Sequence, residues 1–483
     1  MNVSGVHTRV RPSLVPEHND ASISARIASW ASEIRAADLP DEVRSAAVTA
    51  IVDTVGVMIA GADTRPAGFA HRVAMETCAP GDCQLVTGGA LAGAGAAMVN
   101  ATSAHALDFD DNCDAGVVHA SAAVLPAALA SVQAVNGDGD ALIGALAAGL
   151  EAQFALSEVL GPDIYHRGWW TSALLGRAGA AVASVVAGGG DAGCMTCALG
   201  LALADAGGGK VSFGTDAKPL LLGRAAKIGV ESAWLAMAGA GGPASVVEKK
   251  AGLADLIGVD GLSHGRAGGP EDCGWRILCP GIDIKRFPVC LSSHAAIDAL
   301  EFIIEQHDIC PDEIAQIEVD APPLIWSNLI HPDPANSREA QFSMPFALAA
   351  TVCFGRITLD TLERFDDPCI KQIMQRTVPL STTEWNTPER KAKAAEGARI
   401  RLRTADGRSF CAACDKARGG RNMPLSKSEI DDKFLACVAP VTGKSLATEL
   451  LNTLWGVETV SSVRSLLPSG HRHEKSTRKA PDS

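Results

Sequence analysis

The feature that most limits the fold is a helical repeat of apolar residues through the first half of the chain. Ile23, Ile27, Trp30 and Ile34 form one helical face, and a second repeat begins at Val43. Similar patterns continue to about residue 260, separated by glycine-rich segments. The chain is 47% hydrophobic but only 4% aromatic, with 48 glycines, so its helices are expected to pack closely through small side chains.

The pattern changes near residue 279 from helical spacing to alternation. An Asp-Gly pair between two alternating segments is typical of a hairpin turn. The chain is therefore predicted to be mainly α, with a large all-helical domain and an inserted smaller α+β domain. Strands are predicted at 282–287, 314–321, 398–404 and from Ser409 onward, with helices from a Ser292 cap to Gln306 and from Ser426 to about Leu467.

The predicted domain boundaries follow these changes in pattern. Both ends of the chain are polar and are expected to be disordered tails. The predicted segments are a tail at 1–20, the helical domain at 21–278, the α+β domain at 279–420, C-terminal helices that return to the helical domain at 421–467, and a tail at 468–483.

The composition excludes several classes of protein. The chain has 42 Lys and Arg against 55 Asp and Glu, a net charge of −13, whereas nucleic-acid binding needs clustered cations. Its apolar runs fall short of the ~20 residues that span a bilayer, so residues 141–150 and 178–190 are predicted to be buried helices. No secretory signal is evident, and the basic residues 1–16 leave a mitochondrial presequence open. A cytoplasmic protein without a nucleic-acid or membrane partner is predicted.

The 14 cysteines are predicted to be reduced thiols, as is usual in the cytoplasm. Two C-x-x-C pairs occur, Cys194/Cys197 in a helical segment and Cys411/Cys414 in a predicted strand. Spacing of three in a strand points the sulfurs to opposite faces, and the two pairs are too far apart in sequence for a compact zinc module. A structural role is predicted for these thiols, and a metal or redox role is the alternative.

The densest polar cluster lies at residues 105–119. Its first acidic and amide side chains match the opening of a calcium loop, but Cys113 and His119 stand where that loop needs a glycine and a bidentate glutamate. If the segment is helical, Asp108 and Asn112 share one face. A solvated acidic helix end is the alternative interpretation.

Three segments place a basic side chain near a predicted helix start. His119 precedes a helix, where the dipole disfavours the imidazolium and leaves a neutral base. Lys218 precedes a proline that suits a first helical turn, a position suited to holding a carboxylate. Lys285 and Arg286 leave a predicted strand shortly before a helix that begins near His294. Taken singly, each cation is more simply a surface residue.

Several of these residues belong to motifs that resemble those of the MmgE/PrpD family. The correspondences run from about residue 22 to 467 in the expected order, which makes the resemblance stronger than any one motif. The motifs are Asp108-Phe-Asp-Asp-Asn112 with His119-Ala-Ser-x-x-x-Leu-Pro126, Lys218-Pro-Leu-x-x-Gly223-x-Ala-Ala-x-x-Gly229, Lys285-Arg-Phe-Pro288 with His294, Arg338-Glu-Ala-Gln-Phe-Ser343, and Asn422-Met-Pro424 through Lys433-Phe434.

The resemblance implies a fold, an assembly and a type of chemistry. It implies a homodimer in which the α+β domain is a lid over the helical domain, with the active site between them. It also implies action on small polycarboxylates without a metal or organic cofactor, as in 2-methylcitrate dehydratase, cis-aconitate decarboxylase and iminodisuccinate epimerase. The residues at decarboxylase active-site positions are Asp108, Asn112 in place of a threonine, His119, Lys218 and Lys285.

The sequence also departs from the family motifs. Trp170, Leu221 and Cys290 stand where relatives have histidines, and one residue is inserted between Asn112 and His119. Loss of an imidazole at position 170 removes a proton donor that a decarboxylase would use. Nearby Tyr165 and His166 are candidate substitutes.

These residues predict a cofactor-independent lyase that dehydrates or decarboxylates a small di- or tricarboxylate resembling 2-methylcitrate or cis-aconitate. Lys218 and Lys285 are expected to bind carboxylates and stabilise an enolate-like transition state, and His119, oriented by Asp108, to transfer the proton. An epimerase of an iminodisuccinate-like dicarboxylate and a non-catalytic carboxylate-binding protein are the alternatives. The residues expected to contact substrate are Asn112 as a hydrogen-bond donor, Trp170, Arg286 and His294.

Overall fold

The computed structural model describes residues 21–114 and 116–468. The tails predicted at 1–20 and 468–483 therefore lie outside the described residues, apart from Pro468.

The first part of the chain is a bundle of helices, as its apolar spacing predicts. The helix from Asp41 begins directly after Pro40, and small residues let the helices approach closely. A side chain at Gly223 would collide with Thr102, and one at Gly229 would collide with Ala180. The helices are α1 (Ile23–Ala31), α2 (Asp41–Ala60), α3 (Arg65–Thr77), α4 (Gly93–His105), α5 (Ser121–Ala134), α6 (Gly139–Leu160), α7 (Thr171–Ala187), α8 (Ala192–Ala204) and α9 (Ala217–Met237), with a short antiparallel pair β1 (Cys83–Gln84) and β2 (Ala90–Leu91).

The middle of the chain contains the larger sheet. Strand β3 (Ile314–Asp320) pairs in parallel with β4 (Thr377–Leu380) and antiparallel with β5 (Ala398–Thr404), which pairs antiparallel with β6 (Ser409–Cys414). Helices α10 (His294–His307) and α11 (Met344–Phe354) share a separate hydrophobic core with this sheet. The predicted β5–β6 hairpin and the predicted strand at 314–321 are confirmed.

The chain ends with two helices that join the first bundle. They are α12 (Lys427–Thr442), capped by Ser426, and α13 (Lys444–Trp455). Phe434 and Leu454 belong to the same hydrophobic core as α1, α2 and α5 to α8. The mainly helical class is confirmed, whereas the domain boundaries and the lid role of the α+β part stay predictions. Shorter helices are Asp163–His166, Leu253–Leu256, Pro270–Cys273, Pro323–Asn328, Ser337–Ala340, Leu359–Leu362, Pro368–Met374 and Pro388–Lys393.

Two local predictions are wrong because tertiary contacts decide the structure there. Residues 282–287 do not form a strand, since Asp283 makes only an isolated bridge with Asn112. Ser292 does not cap α10, because it lies in a preceding turn and its hydroxyl donates to Glu396, while Ser293 occupies the cap position.

The prediction of reduced thiols is also wrong for one pair. Cys353 in α11 and Cys369 in the helix Pro368–Met374 form a disulfide, because these two helices pack side by side and bring the Cα atoms to 6.2 Å. Cys411 and Cys414 point to opposite faces of β6, as predicted.

Two helices are longer and more apolar than the sequence analysis expected. Asp41–Asp63 and Gly139–Leu160 have the length and composition to cross a bilayer. In this structure 78% and 94% of their most apolar windows are buried inside the protein. Their apolar surface is thus covered by neighbouring helices, which agrees with the prediction of buried helices.

A buried ion pair ties α12 to the bundle and gives a stability prediction. Lys433 Nζ lies 2.6 Å from Asp53 Oδ1, and both side chains are buried. Lys433→Met should lower the free energy of unfolding by about 3 kcal/mol or more, because it leaves a buried carboxylate unpaired. Urea unfolding monitored by circular dichroism measures this change.

The matched control is Lys427→Met on the same helix, where an exposed pair with Asp431 is worth no more than ~1 kcal/mol. The Lys433→Met loss should be smaller at pH 5 than at pH 8, because burial raises the pKa of Asp53 and protonation removes its unpaired charge. Equal losses for the two variants would contradict the assignment.

Candidate active site

The loop that follows α4 is held in place by side chains from three distant segments. The helix ends at His105 and Asp108 has a φ of +49°, so Asp108 and Asn112 do not share a helical face. The alternative of a solvated acidic helix end is also wrong, because Asp108, Asp110 and Asp111 are buried. Three successive carbonyl oxygens of the loop accept hydrogen bonds from side-chain nitrogens. These are Leu107 O from Gln341 Nε2 at 2.6 Å, Asp108 O from Lys285 Nζ at 2.7 Å, and Phe109 O from Lys433 Nζ at 2.9 Å.

The carboxylate of Asp108 joins the two predicted substrate lysines. Lys218 Nζ lies 2.5 Å from its Oδ1 and Lys285 Nζ lies 3.2 Å from its Oδ2. All three side chains are buried. Burial alone would raise the pKa of Asp108, but the two ammonium groups hold it well below its usual range. The lysines therefore converge as predicted, and the anion between them here is a side chain of the protein itself.

His119 is oriented by Asp110 and not by Asp108, which corrects the sequence analysis. Its Nδ1 lies 3.1 Å from Asp110 Oδ2, whereas its Nε2 is 3.8 Å from Asp108 Oδ1. Burial lowers the pKa of His119 to about 4, although Asp110 opposes the shift. The imidazole just before α5 is thus neutral, as predicted, but burial is the main cause.

A second histidine shares the same carboxylate. His105 Nδ1 lies 2.8 Å from Asp110 Oδ2, and the His105 and His119 rings meet edge to face. Burial lowers the pKa of His105 as well. If both Nδ1 atoms carry the proton donated to Asp110, both Nε2 atoms are left as acceptors.

Aromatic rings surround the ammonium group of Lys218. Its Nζ lies 4.8 Å from the centre of the Phe342 ring, 4.9 Å from Phe213 and 5.6 Å from Trp170. Trp170 is fully buried and its ring also contacts His105. Trp170 therefore lies in the cluster and provides an apolar wall, and its contact with substrate stays a prediction. His166, a suggested replacement for the missing histidine, is exposed.

Two of the predicted substrate-binding residues are directed elsewhere. The guanidinium of Arg286 forms ion pairs with Asp298 and Glu301, at 2.5 and 2.9 Å, so its charge is used within the α+β part. His294 is buried against Phe287, and its Nε2 lies 3.2 Å from Val289 O. Burial lowers the pKa of His294 to about 3, so it is a neutral core residue. The substrate-binding roles of Arg286 and His294 are therefore corrected to structural ones.

The remaining predicted residue lies at the edge of the cluster. Asn112 exchanges two backbone hydrogen bonds with Asp283, at 3.0 and 2.7 Å, and its side chain is buried. Its Oδ1 has no hydrogen-bond partner among the described residues. The unpaired atom is a hydrogen-bond acceptor, so it lends no support to a donor role, and the role of Asn112 as a hydrogen-bond donor to substrate stays a prediction.

The sequence analysis did not assign His105, Asp110 or Gln341 to the site. His105 and Asp110 lie in the polar cluster at residues 105–119, but the sequence does not show that their side chains meet His119 in the fold. Gln341 lies inside the motif at 338–343, where nothing in the sequence shows that its amide reaches the loop.

The same cluster has the spacing of a metal site. His105, Asp108, Asp110 and His119 offer ligand atoms that all lie within 4.8 Å of one another. Both oxygens of Asp108, however, face ammonium groups, and like charges oppose the binding of a divalent cation. The residues therefore fit an ion-pair network better than a metal centre, and metal independence stays a prediction.

The site is closed around Asp108 in this structure. The cavity beside it is lined by residues that include His105, Lys218, Arg338 and Phe342, and its free space is about 20 Å³. That volume holds about one water molecule. A polycarboxylate can enter only if the lining residues move apart.

Two family domains match most of this chain and identify the family to which it is related. The MmgE/PrpD N-terminal domain matches residues 25–261 and the MmgE/PrpD C-terminal domain matches residues 287–456. The chain belongs to the MmgE/PrpD family. The loop at 106–112 and Lys218 fall in the first match, whereas Gln341, Phe342 and Lys433 fall in the second.

Two proteins similar to this chain are cis-aconitate decarboxylases. Human cis-aconitate decarboxylase is 28% identical over 380 residues, which cover 75% of this chain and 76% of the human protein. Cis-aconitate decarboxylase of Aspergillus terreus (strain NIH 2624 / FGSC A1156) is 23% identical over 475 residues, covering 92% and 95%. These identities support a relationship to lyases but fix no substrate.

The state of His119 gives a direct test of the site's electrostatics. Its pKa should lie near 4, so the ring should be neutral at pH 6, when an ordinary histidine is largely protonated. Asp110→Asn should lower the pKa further, because the carboxylate favours the imidazolium. Titration of ¹³Cε1-labelled histidines by NMR, assigned with His119→Ala, measures this value; a pKa at or above 6.5 would contradict the structure.

Proposed function

We propose that this member of the MmgE/PrpD family is a lyase that removes carbon dioxide or water from a small di- or tricarboxylate without a metal or organic cofactor. The observation that carries the proposal is the meeting of Lys218 and Lys285 at one carboxylate beside a neutral His119. The similarity to cis-aconitate decarboxylases supports the same class of reaction.

The two lysines are suited to holding a substrate carboxylate. An ammonium group has three N–H donors, and the contacts of Lys285 with Asp108 use two of them. Lys218 uses one on Asp108 and turns its others towards aromatic rings. Each lysine thus retains donor capacity while Asp108 keeps the two positive charges close together. A substrate carboxylate would bind beside Asp108 or displace it.

The lysine pair also suits the charge that forms during the reaction. Loss of carbon dioxide, or removal of a proton beside a carboxylate, leaves an electron pair that spreads onto carboxylate oxygens. Ammonium groups fixed beforehand in a buried site stabilise this charge without reorganising. In a dehydration the electron pair then expels a hydroxyl group, which needs a proton. In a decarboxylation the carbanion takes up the proton instead.

His119 is the proposed proton carrier. Its Nδ1 faces Asp110, which leaves Nε2 facing the ion pair and free to accept a proton. The neutral form predominates before substrate arrives. A bound polycarboxylate adds negative charge beside the ring and raises its pKa. In a dehydration His119 would accept the proton from the substrate carbon and return it to the departing hydroxyl group, whereas in a decarboxylation it would take a proton from solvent and donate it to the carbanion.

The closed cavity implies an opening step in this proposal. Asp108, His119 and Lys218 come from the helical part, whereas Gln341 and Phe342 come from the α+β part. Separation of the two parts would open the space beside Lys218. We propose that the α+β part acts as the lid, in a cytoplasmic homodimer as the resemblance implies.

The reaction class can be tested in heavy water. The purified full chain is incubated with a panel that includes cis-aconitate, 2-methylcitrate and smaller dicarboxylates, and products are followed by mass spectrometry and proton NMR. A decarboxylase should give a product about 43 mass units lighter than its substrate, because carbon dioxide (about 44) leaves and the carbanion takes up one deuteron in place of a proton, whereas a dehydratase should give a product about 18 mass units lighter. Deuterium uptake with inversion and no mass loss would replace the lyase with an epimerase. No change in any compound would overturn an enzymatic role towards these acids.

Two substitutions test the assigned residues. Lys218→Met and His119→Ala should each lower kcat/KM by about 10²-fold or more, because one removes charge stabilisation and the other proton transfer. Both variants should keep the far-ultraviolet circular dichroism of the parent. Lys227→Met is the control on α9, where a half-buried lysine outside the site loses its pair with Glu231, and it should leave activity unchanged. Full activity in either site variant would remove that residue from the mechanism.

A further inference from the structure

A second polar network lies in the cleft between the helical and α+β parts and is centred on Asn328. Its Oδ1 accepts hydrogen bonds from Tyr165 Oη and from Lys210 Nζ, each at 3.1 Å. Its Nδ2 donates to Ser292 Oγ at 3.0 Å, and the Ser292 hydroxyl donates to Glu396 Oε1 at 2.6 Å. The amide is therefore fixed in one orientation, with its oxygen towards Lys210.

The ammonium group of Lys210 is a half-buried cation without a carboxylate partner among the described residues. It uses one N–H on Asn328, and it lies 3.8 Å from the centre of the Tyr165 ring. Glu396 is near enough to favour its charge, but that carboxylate takes its hydrogen bond from Ser292. Burial lowers the pKa of Lys210. The side chain thus has unused donors and would gain from a bound anion.

This network adjoins the cluster around Asp108. Lys210 Nζ lies 5.9 Å from the centre of the Phe213 ring, and Lys218 Nζ lies 4.9 Å from the same centre. The distance between the two nitrogens is therefore at most the sum of these two distances. Burial and the charge of Asp108 raise the pKa of the Cys290 thiol, and Cys290 in turn favours the charged form of Lys210, so the two networks interact electrostatically. A short diacid could reach from one ammonium group to the other.

We propose that Lys210, held by Asn328 and Tyr165, binds the second carboxylate of the substrate while Lys218 and Lys285 bind the first. The inference rests on the proposed function, and it assigns the substrate to the class of acids with at least two carboxylates separated by a short chain. Lys210 thereby supplies a cation in a cleft where Trp170 and Cys290 stand at positions of family histidines.

Arg338 is the competing anchor for that carboxylate. It lines the cavity beside Lys218, but its guanidinium is paired with Asp216, which Arg65 also contacts at 3.4 Å. Lys210 has no such partner among the described residues, and for this reason it is the better candidate.

Calorimetric titration of the full chain with succinate and with butyrate tests the inference. The two acids have the same chain length and differ by one carboxylate. Wild-type protein should bind succinate more tightly. Lys210→Met should weaken succinate binding by about tenfold or more and leave butyrate binding unchanged, since it removes only a charge-assisted hydrogen bond to the second carboxylate. Lys210→Arg, which keeps the charge, should retain most of the succinate affinity.

Asn328→Asp is a second, nearly isosteric variant. It places a carboxylate of the protein against Lys210 Nζ, so it should compete with succinate and reproduce the selective loss seen in Lys210→Met. A purely structural role for Lys210 predicts a different result: both acids would bind more weakly and the unfolding temperature would fall.

The outcomes separate this inference from the proposed function. In one outcome the wild-type protein binds both acids, and Lys210→Met changes neither affinity or changes both equally. Lys210 would then not bind the second carboxylate, whereas the proposed role of Lys218 and Lys285 would be unaffected. A succinate-specific loss confined to Arg338→Met would move the anchor to Arg338 and overturn the inference. If the wild-type protein binds neither acid, nor the larger acids of the heavy-water panel, the proposed function fails and this inference fails with it.

Discussion

The ion pairs of Asp108 are the interaction on which the rest of the site depends. The carboxylate of Asp108 forms ion pairs with Lys218 from the helical part and with Lys285 from the segment that leads into the α+β part. The two ammonium groups are therefore held at the same buried point. Two buried ammonium groups would repel each other and would be costly to remove from water without it. The aromatic wall, the neutral histidines and the orientation of the loop are all arranged around this charge balance.

The arrangement would allow a chain with a net charge of −13 to bind the proposed anionic substrate. Lys218 and Lys285 meet at Asp108, and Lys210 and Lys218 lie near the same Phe213 ring. Such local charges act strongly because they are partly shielded from water. Their positions are set by hydrogen bonds to Asp108 and Asn328 before any ligand arrives, so little reorganisation would be needed during a reaction.

The sequence predicted well where structure is local and poorly where it depends on distant partners. The spacing of Ile23 and Ile27 and the Asp406-Gly407 turn describe their own elements, so the helices and the hairpin were found. Motif residues such as His119 and Lys218 were placed correctly because the family motifs keep them in order. Arg286 was misassigned, and the pairing of His119 with Asp110 was missed. Arg286 pairs with two carboxylates of the α+β part, and His119 lies nearer to Asp110 than to Asp108. Only the folded backbone determines which carboxylates these side chains reach.

The loop carbonyl held by Lys433 links the site to the last helices of the chain. Because α12 is synthesised after almost everything else, the carbonyl of Phe109 cannot receive its hydrogen bond until the ribosome has released residues beyond 433. A nascent chain that ends shortly after Lys285 would lack two of the three contacts that fix the loop, those from Gln341 and Lys433. Assembly of the cleft is therefore a late event in biosynthesis, which keeps a reactive cluster of charges incomplete until the bundle has closed.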